Sequence, residues 1–435
     1  MSFPAPAPFG ESILTQLDLP EGLNPYYTDK HRRLRLFVRK YVDEELAPHV
    51  QEWETEGSVP EWARLRNCEL GFQVTHPIKD PADAGGVALP AGIAYDEWDT
   101  WCQQIIYDEL YRVGWCGPLW ALGSGNSIGC PPIAEHGTKE QRLRWLPKVA
   151  RGELNFCLGV TEPDGGSDVA NIRTTAVRNG DHYIVNGAKK WITNAIWCDF
   201  CTVIVRTGGP GRSGISMLVV DLKSKGVTRR KMENSGVFAS GSTSIVFEDV
   251  EVPVGNLVGP ENGAFNMILK NFNPERLQIA TSSIRLARVC ASDAYRYACQ
   301  RETFGKRLID HPAIKTKITN FGLWIEPAQA FREQLCHLIE VSRRTGQEIN
   351  VGGLTALLKI ISTRCLEQVC RESLQILGGA GYSKTGPGAR IEQISRMVRV
   401  WLVGGGSEEI MFDLAGRQEI RDFESRGGTS LKFRL

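Results

Sequence analysis

The sequence predicts an α+β protein of more than one domain, with helix, strand and helix following one another along the chain. Three observations carry that reading. Apolar residues recur at helical spacing through the first ~155 residues, the period falls to two between about 182 and 253, and helical spacing returns after Pro260. With 435 residues, 42% of them hydrophobic, the chain has room for about two to four domains with substantial cores.

The first helical stretch is "TDKHRRLRLFVRKYVDEELAP" at 28–48, where Leu34, Phe37, Val38, Tyr41 and Val42 fall on one face. Thr28 or Asp29 is the expected cap and Pro48 the expected stop. "QQIIYDELYRVG" and "KEQRLRWLPKVARG", within 103–151, continue in the same manner. The segments "HYIVNGAKKWITN", "DFCTVIVRT", "GISMLVVDL" and "STSIVFEDVEVP" then alternate or run β-branched, with Asn186-Gly187 read as a hairpin turn. In the last third Ile284, Ala287, Ala291, Ala294 and Ala298 recur at intervals of three or four, and a further helical region covers about 354–377.

Charge narrows the class of partner. Fifty-one basic residues against 50 acidic ones leave a net charge of +1, which gives no electrostatic reason to expect nucleic acid or an anionic membrane as the main partner. Of the twelve cysteines, Cys198 and Cys201 form a C-x-x-C with no second pair at zinc spacing, and are read as reduced, half-buried strand residues; no metal is expected. No apolar run approaches the ~20 residues of a membrane span, and "MSFPAPAPFGESIL" has neither a secretion signal nor an Arg-rich transit helix. The expectation is a reducing intracellular compartment, the cytoplasm by default, with peroxisome and mitochondrion left open. The terminal "FRL" is a poor match to a peroxisomal tripeptide.

The densest chemical signal is "CLGVTEPDGGSDVANIRTTAVRNGDHYIVNGAKKWITNA" at 157–195. Thr161 and Ser167 bring hydroxyls, and Gly165 and Gly166 allow close backbone approach, so the loop suits a polar heterocycle; a strand corner that merely needs glycine is the alternative. Trp191 and Thr193 offer a ring face and a hydroxyl, although tryptophan in a strand is usually core. In "RETFGKRLIDHPAI" at 301–314 a helix ends and a turn follows at Gly305, with Arg301, Lys306 and Arg307 nearby. The triple glycine of "VRVWLVGGGSEEI", Gly404 to Gly406, either exposes backbone N–H groups to a ligand or joins two helices.

Together with "QILGGAGY" at 375–382, these motifs resemble the acyl-CoA dehydrogenase family over nearly the whole chain and in the family's order. The resemblance implies an arm over 1–27, an N-terminal helical domain over 28–155, a central β-barrel over 156–262 and a C-terminal four-helix bundle over 263–435. It implies FAD, contacted by Val160, Thr161, Gly166, Ser167, Trp191, Ile192 and Thr193. It also places Arg301, Thr303 and Phe304, with Leu308, His311, Gln375 and Gly379, at the diphosphate and adenosine part of a flavin bound by a neighbouring subunit. A homotetramer built as a dimer of dimers follows, with electron-transfer flavoprotein as the electron acceptor.

Many members of that family carry the catalytic glutamate where this chain has Gly405, which cannot accept a proton. Ser407 still matches a flavin-facing residue and Glu409 an adenosine-side one. A subset that includes isovaleryl-CoA and long-chain acyl-CoA dehydrogenases carries the base in a Glu-Arg-Leu motif, matched by Glu275-Arg276-Leu277. The expected reaction is removal of the α-proton of a short, branched or medium acyl-CoA by Glu275, with β-hydride transfer to flavin N5. Arg276, Ser167 and Gly405 then border the substrate.

Other readings stand beside these. Asn273 as N-cap, Pro274 in the first turn and Glu275 at the positive helix end would form a stable helix start without chemistry. Glu408 is a rival base and Asp164 a weaker one. Phe238 stands where the family usually has a basic residue, leaving "TRRK" at 228–231 as the nearby positive charge. A same-fold flavin oxidase or desaturase acting on a specialised or carrier-bound substrate is one alternative, and a non-catalytic flavin-binding scaffold the other.

Overall fold

The structure, a computed structural model, describes residues 7–16, 22–75 and 80–425. The terminal "FRL" lies outside the described residues. The chain follows the expected order: an N-terminal helical domain, a middle β domain and a C-terminal helical domain. Its contacts group it into two compact units, one of residues 33–98 and 115–272, the other of 99–114 and 273–425 with 7–16 and 22–32.

Helix α1, Asp29–Tyr41, starts where the sequence places it, the Thr28 carbonyl accepting the Arg32 N–H at 3.1 Å. Leu34, Val38, Tyr41 and Val42 are buried and Phe37 is half-buried. A wider π-turn, Val42–Leu46, carries the chain on before Pro48. Helix α2, Thr100–Leu110, is capped by Asp99, whose carboxylate accepts the Cys102 N–H at 2.9 Å. Helix α3, Lys139–Ala150, opens with a reciprocal Thr138–Gln141 capping box.

The sheet comprises β1 (Phe156–Gly159), β2 (Thr175–Asn179), β3 (His182–Ile192), β4 (Phe200–Arg206), β5 (Ile215–Asp221), β6 (Val227–Lys231) and β7 (Thr243–Pro253). The strand order is β1-β4-β2-β3-β7-β6, with β5 paired to β4, an open half-barrel. The β6 edge carries Arg229, Arg230 and Lys231, charges that discourage further strand pairing. On one side Trp145, Leu146 and Val149 of α3 pack with Phe156, Ile204, Met217 and Val219. On the other, Tyr183, Val185, Val203, Leu218, Val220 and Phe247 form a second core. β4 and β5 are therefore covered on both faces, which is why they read as unbroken apolar runs.

Two local expectations are corrected. Asn186-Gly187 is not a turn: β3 runs through it, with a register shift between Val185 and Gly187. The Asn186 amide exchanges two hydrogen bonds with Asp249 across the ladder, at 2.9 and 2.8 Å. At Gly187 a Cβ would come within 2.7 Å of the Thr174 Cα, so this glycine serves close backbone approach. The hairpin turn lies at Gly180-Asp181, where Asn179 pairs with His182 and Gly180 has φ +62°. The second correction concerns the cysteines. Cys198 and Cys201 are fully buried rather than half-buried, and Cys198 sits in the turn before β4.

The second unit is built on α4 (Ala264–Gln300, from Asn273 onward), α5 (Pro312–Thr345), α6 (Gly352–Leu377), α7 (Ala389–Val403) and α8 (Glu408–Ser425). Ile284, Ala287, Ala291, Ala294 and Ala298 are all buried, as their spacing predicts. Within this unit Arg285 grips Asp108 of α2 with two bonds, 2.9 and 2.6 Å, and Glu11 of the N-terminal arm at 2.7 Å. All three side chains are largely buried, a charge cluster that is stable only because each partner is present.

Candidate active site

In the first unit the chain leaves β1 at Val160 and Thr161. The Lys190 N–H donates to the Thr161 carbonyl at 2.9 Å, tying this loop to the end of β3. The loop is held from beneath by Glu162. Its carboxylate accepts the N–H groups of Arg173 and Thr174, at 2.6 and 2.9 Å, and the ammonium of Lys189 at 2.8 Å. Lys189 is fully buried and also donates to the Val160 carbonyl at 3.0 Å. Burial pushes the Glu162 carboxyl up, but Lys189 and the backbone donors outweigh it and keep it below the usual carboxylate range. Neither residue stood out in the sequence. The available signal was Lys189 at an inward position of an alternating strand, which demands a buried partner.

Beyond Glu162, a tight turn bonded both ways between Glu162 and Gly165 leaves Gly166 and Ser167 exposed. Asp164 sits on that turn as a solvent-exposed partner of Arg173, at 3.3 Å. At the far end of β3 the ladder breaks between Lys189 and Ile192, and Trp191 takes φ +65°. The bulge turns the indole out to 54% exposure while Ile192 stays in the core. Asn194, also at positive φ, fixes the departure by accepting the Gly125 N–H at 2.7 Å and donating to the Ser240 carbonyl at 2.8 Å. The structure thus brings together Thr161, Trp191 and Thr193, while Val160 and Ile192 offer only backbone. An outward indole, hydroxyls at Thr161, Ser167 and Thr193, and open space around Gly165 and Gly166 fit a flat, polar heterocycle.

Elsewhere in this unit, Phe238 is matched with a cation after all. The Lys231 ammonium lies 3.8 Å from its ring centre and donates to the Gly57 carbonyl at 2.5 Å.

In the second unit α4 runs without a break through Pro274, so Asn273 is not an N-cap and Glu275 does not lie at a helix start. Proline removes the N–H that would reach the Lys270 carbonyl, a cost accepted in mid-helix. The Asn273 side chain accepts from Arg276 at 2.9 Å. Glu275 is half-buried, and that burial, opposed by the Arg276 charge, raises its carboxyl from 4.5 to about 8.

Arg276 is buried and donates through Nε to the Gly405 carbonyl at 3.0 Å. Gly405 and Gly406 have φ of +66° and +111°, conformations suited to glycine. A Cβ on Gly405 would stand 2.8 Å from Ile279 Cδ1 and 3.6 Å from Arg276 Cγ. The triple-glycine loop therefore rests on the turn of α4 that carries Glu275. From α6 the Lys359 ammonium reaches the Leu402 and Gly406 carbonyls at 2.5 and 2.9 Å.

Glu408 is engaged elsewhere: its carboxylate takes a double bond pair from Arg364, Nε at 2.9 Å. Ser407 caps α8, its carbonyl accepting the Met411 N–H at 3.0 Å. The backbone N–H of Glu409 itself and then the Ser407 hydroxyl hold the Glu409 carboxyl below its usual range.

Of the remaining candidates, Arg301, Thr303, Phe304, Leu308 and His311 belong to one hairpin and the turn after it. β8 (Glu302–Thr303) and β9 (Lys306–Arg307) make a two-residue hairpin with Phe304 and Gly305 at φ +51° and +76°, a type I′ turn. Leu308 N–H closes on the Arg301 carbonyl at 2.7 Å, and the Thr303 hydroxyl lies 3.1 Å from His311 Nε2. Phe304 is 97% exposed. Gln375 and Gly379 are exposed at the end of α6.

Comparison with known proteins matches three family models, described as the N-terminal, middle and C-terminal domains of acyl-CoA dehydrogenase, to residues 28–153, 157–250 and 262–420. The chain is 43% identical over 424 residues to an acyl-CoA dehydrogenase, AFT10-1, of Alternaria alternata, covering 97% of each protein. It is 29% identical to a caffeyl-CoA reductase–Etf complex subunit of Acetobacterium woodii, covering 88% of this chain and 97% of that one. Among solved structures, an acyl-CoA dehydrogenase from Geobacillus kaustophilus superposes with a TM-score of 0.81 at 32% identity, over 91% of this chain and 99% of the other.

Proposed function

The chain belongs to the acyl-CoA dehydrogenase family, and from that premise we propose that it dehydrogenates a short, branched or medium acyl-CoA with Glu275 as the base. The family is flavin-dependent, and bound FAD supplies the acceptor for the β-hydride. Residues Thr161, Ser167, Trp191 and Thr193, with the backbone of Val160, Gly166 and Ile192, hold its ring side. The observation that carries the assignment of the base is the half-buried Glu275 carboxyl, raised to about 8, on the turn of α4 that Arg276 bonds to the vacant Gly405 position. A carboxylate of that basicity is well matched to a weakly acidic α-proton at neutral pH.

Arg276 keeps its neighbour in place and contributes positive charge on the substrate side. Glu408 is unsuited to the task, being committed to Arg364. The exposed Phe304 supports a hairpin that serves a neighbouring subunit, where Arg301, Thr303, Leu308, His311, Gln375 and Gly379 reach the adenosine side of that subunit's flavin; Ser407 and Glu409 reach the flavin of their own. This arrangement requires an oligomer, for which a homotetramer is the proposed form, and electron-transfer flavoprotein is the proposed acceptor.

Glu275→Gln tests the base directly. Flavin content should be unchanged, and reduction of the flavin by a good acyl-CoA substrate should slow by about a hundredfold or more. Near-normal reduction in Glu275→Gln, with Glu408→Gln inactive, would move the base to Glu408.

A further inference from the structure

Lys359 is fully buried in the middle of α6, between Leu358 and Ile360, with Glu408, Arg276 and Glu409 as the charges that act on it. A buried ammonium persists only where its protons find acceptors, and here the two acceptors lie before the start of the triple glycine and at its end. Leu402 lies in the last turn of α7, where helix carbonyls have no internal donor and the helix dipole presents its negative end. Gly406 lies four residues further on. A single ammonium thus ties the exit of α7 to the far side of the triple glycine, while Arg276 of α4 holds the Gly405 carbonyl between them.

Three consecutive glycines have no side chains with which to fix themselves, and two of these hold left-handed φ. Capping α7 alone would require only the bond to Leu402. The second bond, to Gly406, acts on the course of the loop itself, and that loop bears on the α4 turn of Arg276 and Ile279.

We propose that Lys359 is a positioning residue for the reaction. Its two bonds fix the triple-glycine loop against α4 and so hold Glu275 and the thioester-facing edge of the loop in one mutual geometry. This rests on Glu275 being the base.

The test is Lys359→Met, which keeps the aliphatic stem and removes charge and donors, studied as the full-length FAD-loaded protein. Turnover per bound flavin should fall at least tenfold with KM changed less than threefold, and backbone hydrogen exchange over 402–408 should accelerate. If this variant does not yield holoenzyme, Lys359→Gln, too short to span both carbonyls, carries the same expectation. A structural role alone would lower the melting midpoint and leave turnover per flavin intact, which overturns the proposal, as does unaltered exchange of the loop.

In a Glu275→Gln background Lys359→Met should add little further loss, because the geometry it maintains no longer serves a base. The full tenfold loss in both backgrounds would overturn the coupling to Glu275. Wild-type turnover in Glu275→Gln by itself would overturn the base assignment, and with it the claim that Lys359 serves that base, whereas loop exchange would still show whether Lys359 holds the glycines.

Discussion

Replacing Glu275 by Gln should change not only the rate but also how the protein's stability depends on pH. The native carboxyl keeps its proton up to about 8, whereas the same group in the unfolded chain ionises near 4.5. Between those values the native state binds more protons than the unfolded one, so this group's contribution to stability falls as pH rises and is lost on passing pH 8. At about 1.36 kcal/mol per pH unit the displacement corresponds to about 5 kcal/mol at most. The side chain is partly accessible, and solvent screening reduces this to about 2 kcal/mol.

Glutamine fills the same space without titrating. The variant should therefore match wild type near pH 5 and exceed it by about 2 kcal/mol at pH 9, roughly 2 °C in melting midpoint if the whole 435-residue chain melts together. Thermal unfolding of both holoproteins at half-unit steps from pH 5.5 to 9.5 measures it. In parallel, wild-type kcat/KM should climb with pH and level off above 8, a limb that Glu275→Gln loses. Melting curves that stay parallel across the range would refute the raised carboxyl and the reasoning built on its burial.

Two further outcomes follow from the geometry. Gly405→Glu in the Glu275→Gln background should recover part of the flavin-reduction rate, at about 1–2 kcal/mol of stability for a left-handed non-glycine residue; adding Ile279→Val, which deletes the methyl 2.8 Å from the new Cβ, should improve both. No recovery in either would place the thioester away from this loop. Arg301→Glu should lower flavin occupancy and weaken the oligomer together, read by absorbance and sedimentation, because a ligand held across subunits links the two equilibria; a monomeric wild type with full FAD would contradict it.

Periodicity made the broad architecture legible because it reports which face of an element is buried. Leu34, Val38 and Tyr41, or Ile284 through Ala298, need no tertiary knowledge to be placed. Local signals failed where distant packing decides. Asn186-Gly187 and Asn179-Gly180 are the same dipeptide, and only the approach of Thr174 makes the first a bulge and leaves the second as the turn. Asn273-Pro274 has the chemistry of a helix start, yet α4 continues through it, with Ala264 and Ile268 buried before it and Leu277 and Ala280 buried after it.

The site divides in the same way. Motif residues such as Glu275 and Thr161 were visible as side-chain types at family spacing. The buried supports, Lys189 beneath Val160 and Glu162 and Lys359 beneath the glycines, act over 27 to 47 positions in sequence, so even the inward strand position of Lys189 does not name its partner.

The charge cluster of Glu11, Asp108 and Arg285 also constrains how the chain reaches its native state. Its partners stand 274 and 177 residues apart, so during synthesis Glu11 emerges long before the arginine that will bury it. Until Arg285 has left the ribosome the arm has no reason to dock, and α2 lacks the cation that its Asp108 requires. The first unit can assemble from residues already made, whereas the second waits for the last third of the chain to close loops of this length. Nascent chains halted before residue 285 would leave both acids in water, and the arm would be the last part of the N-terminus to become resistant to proteases.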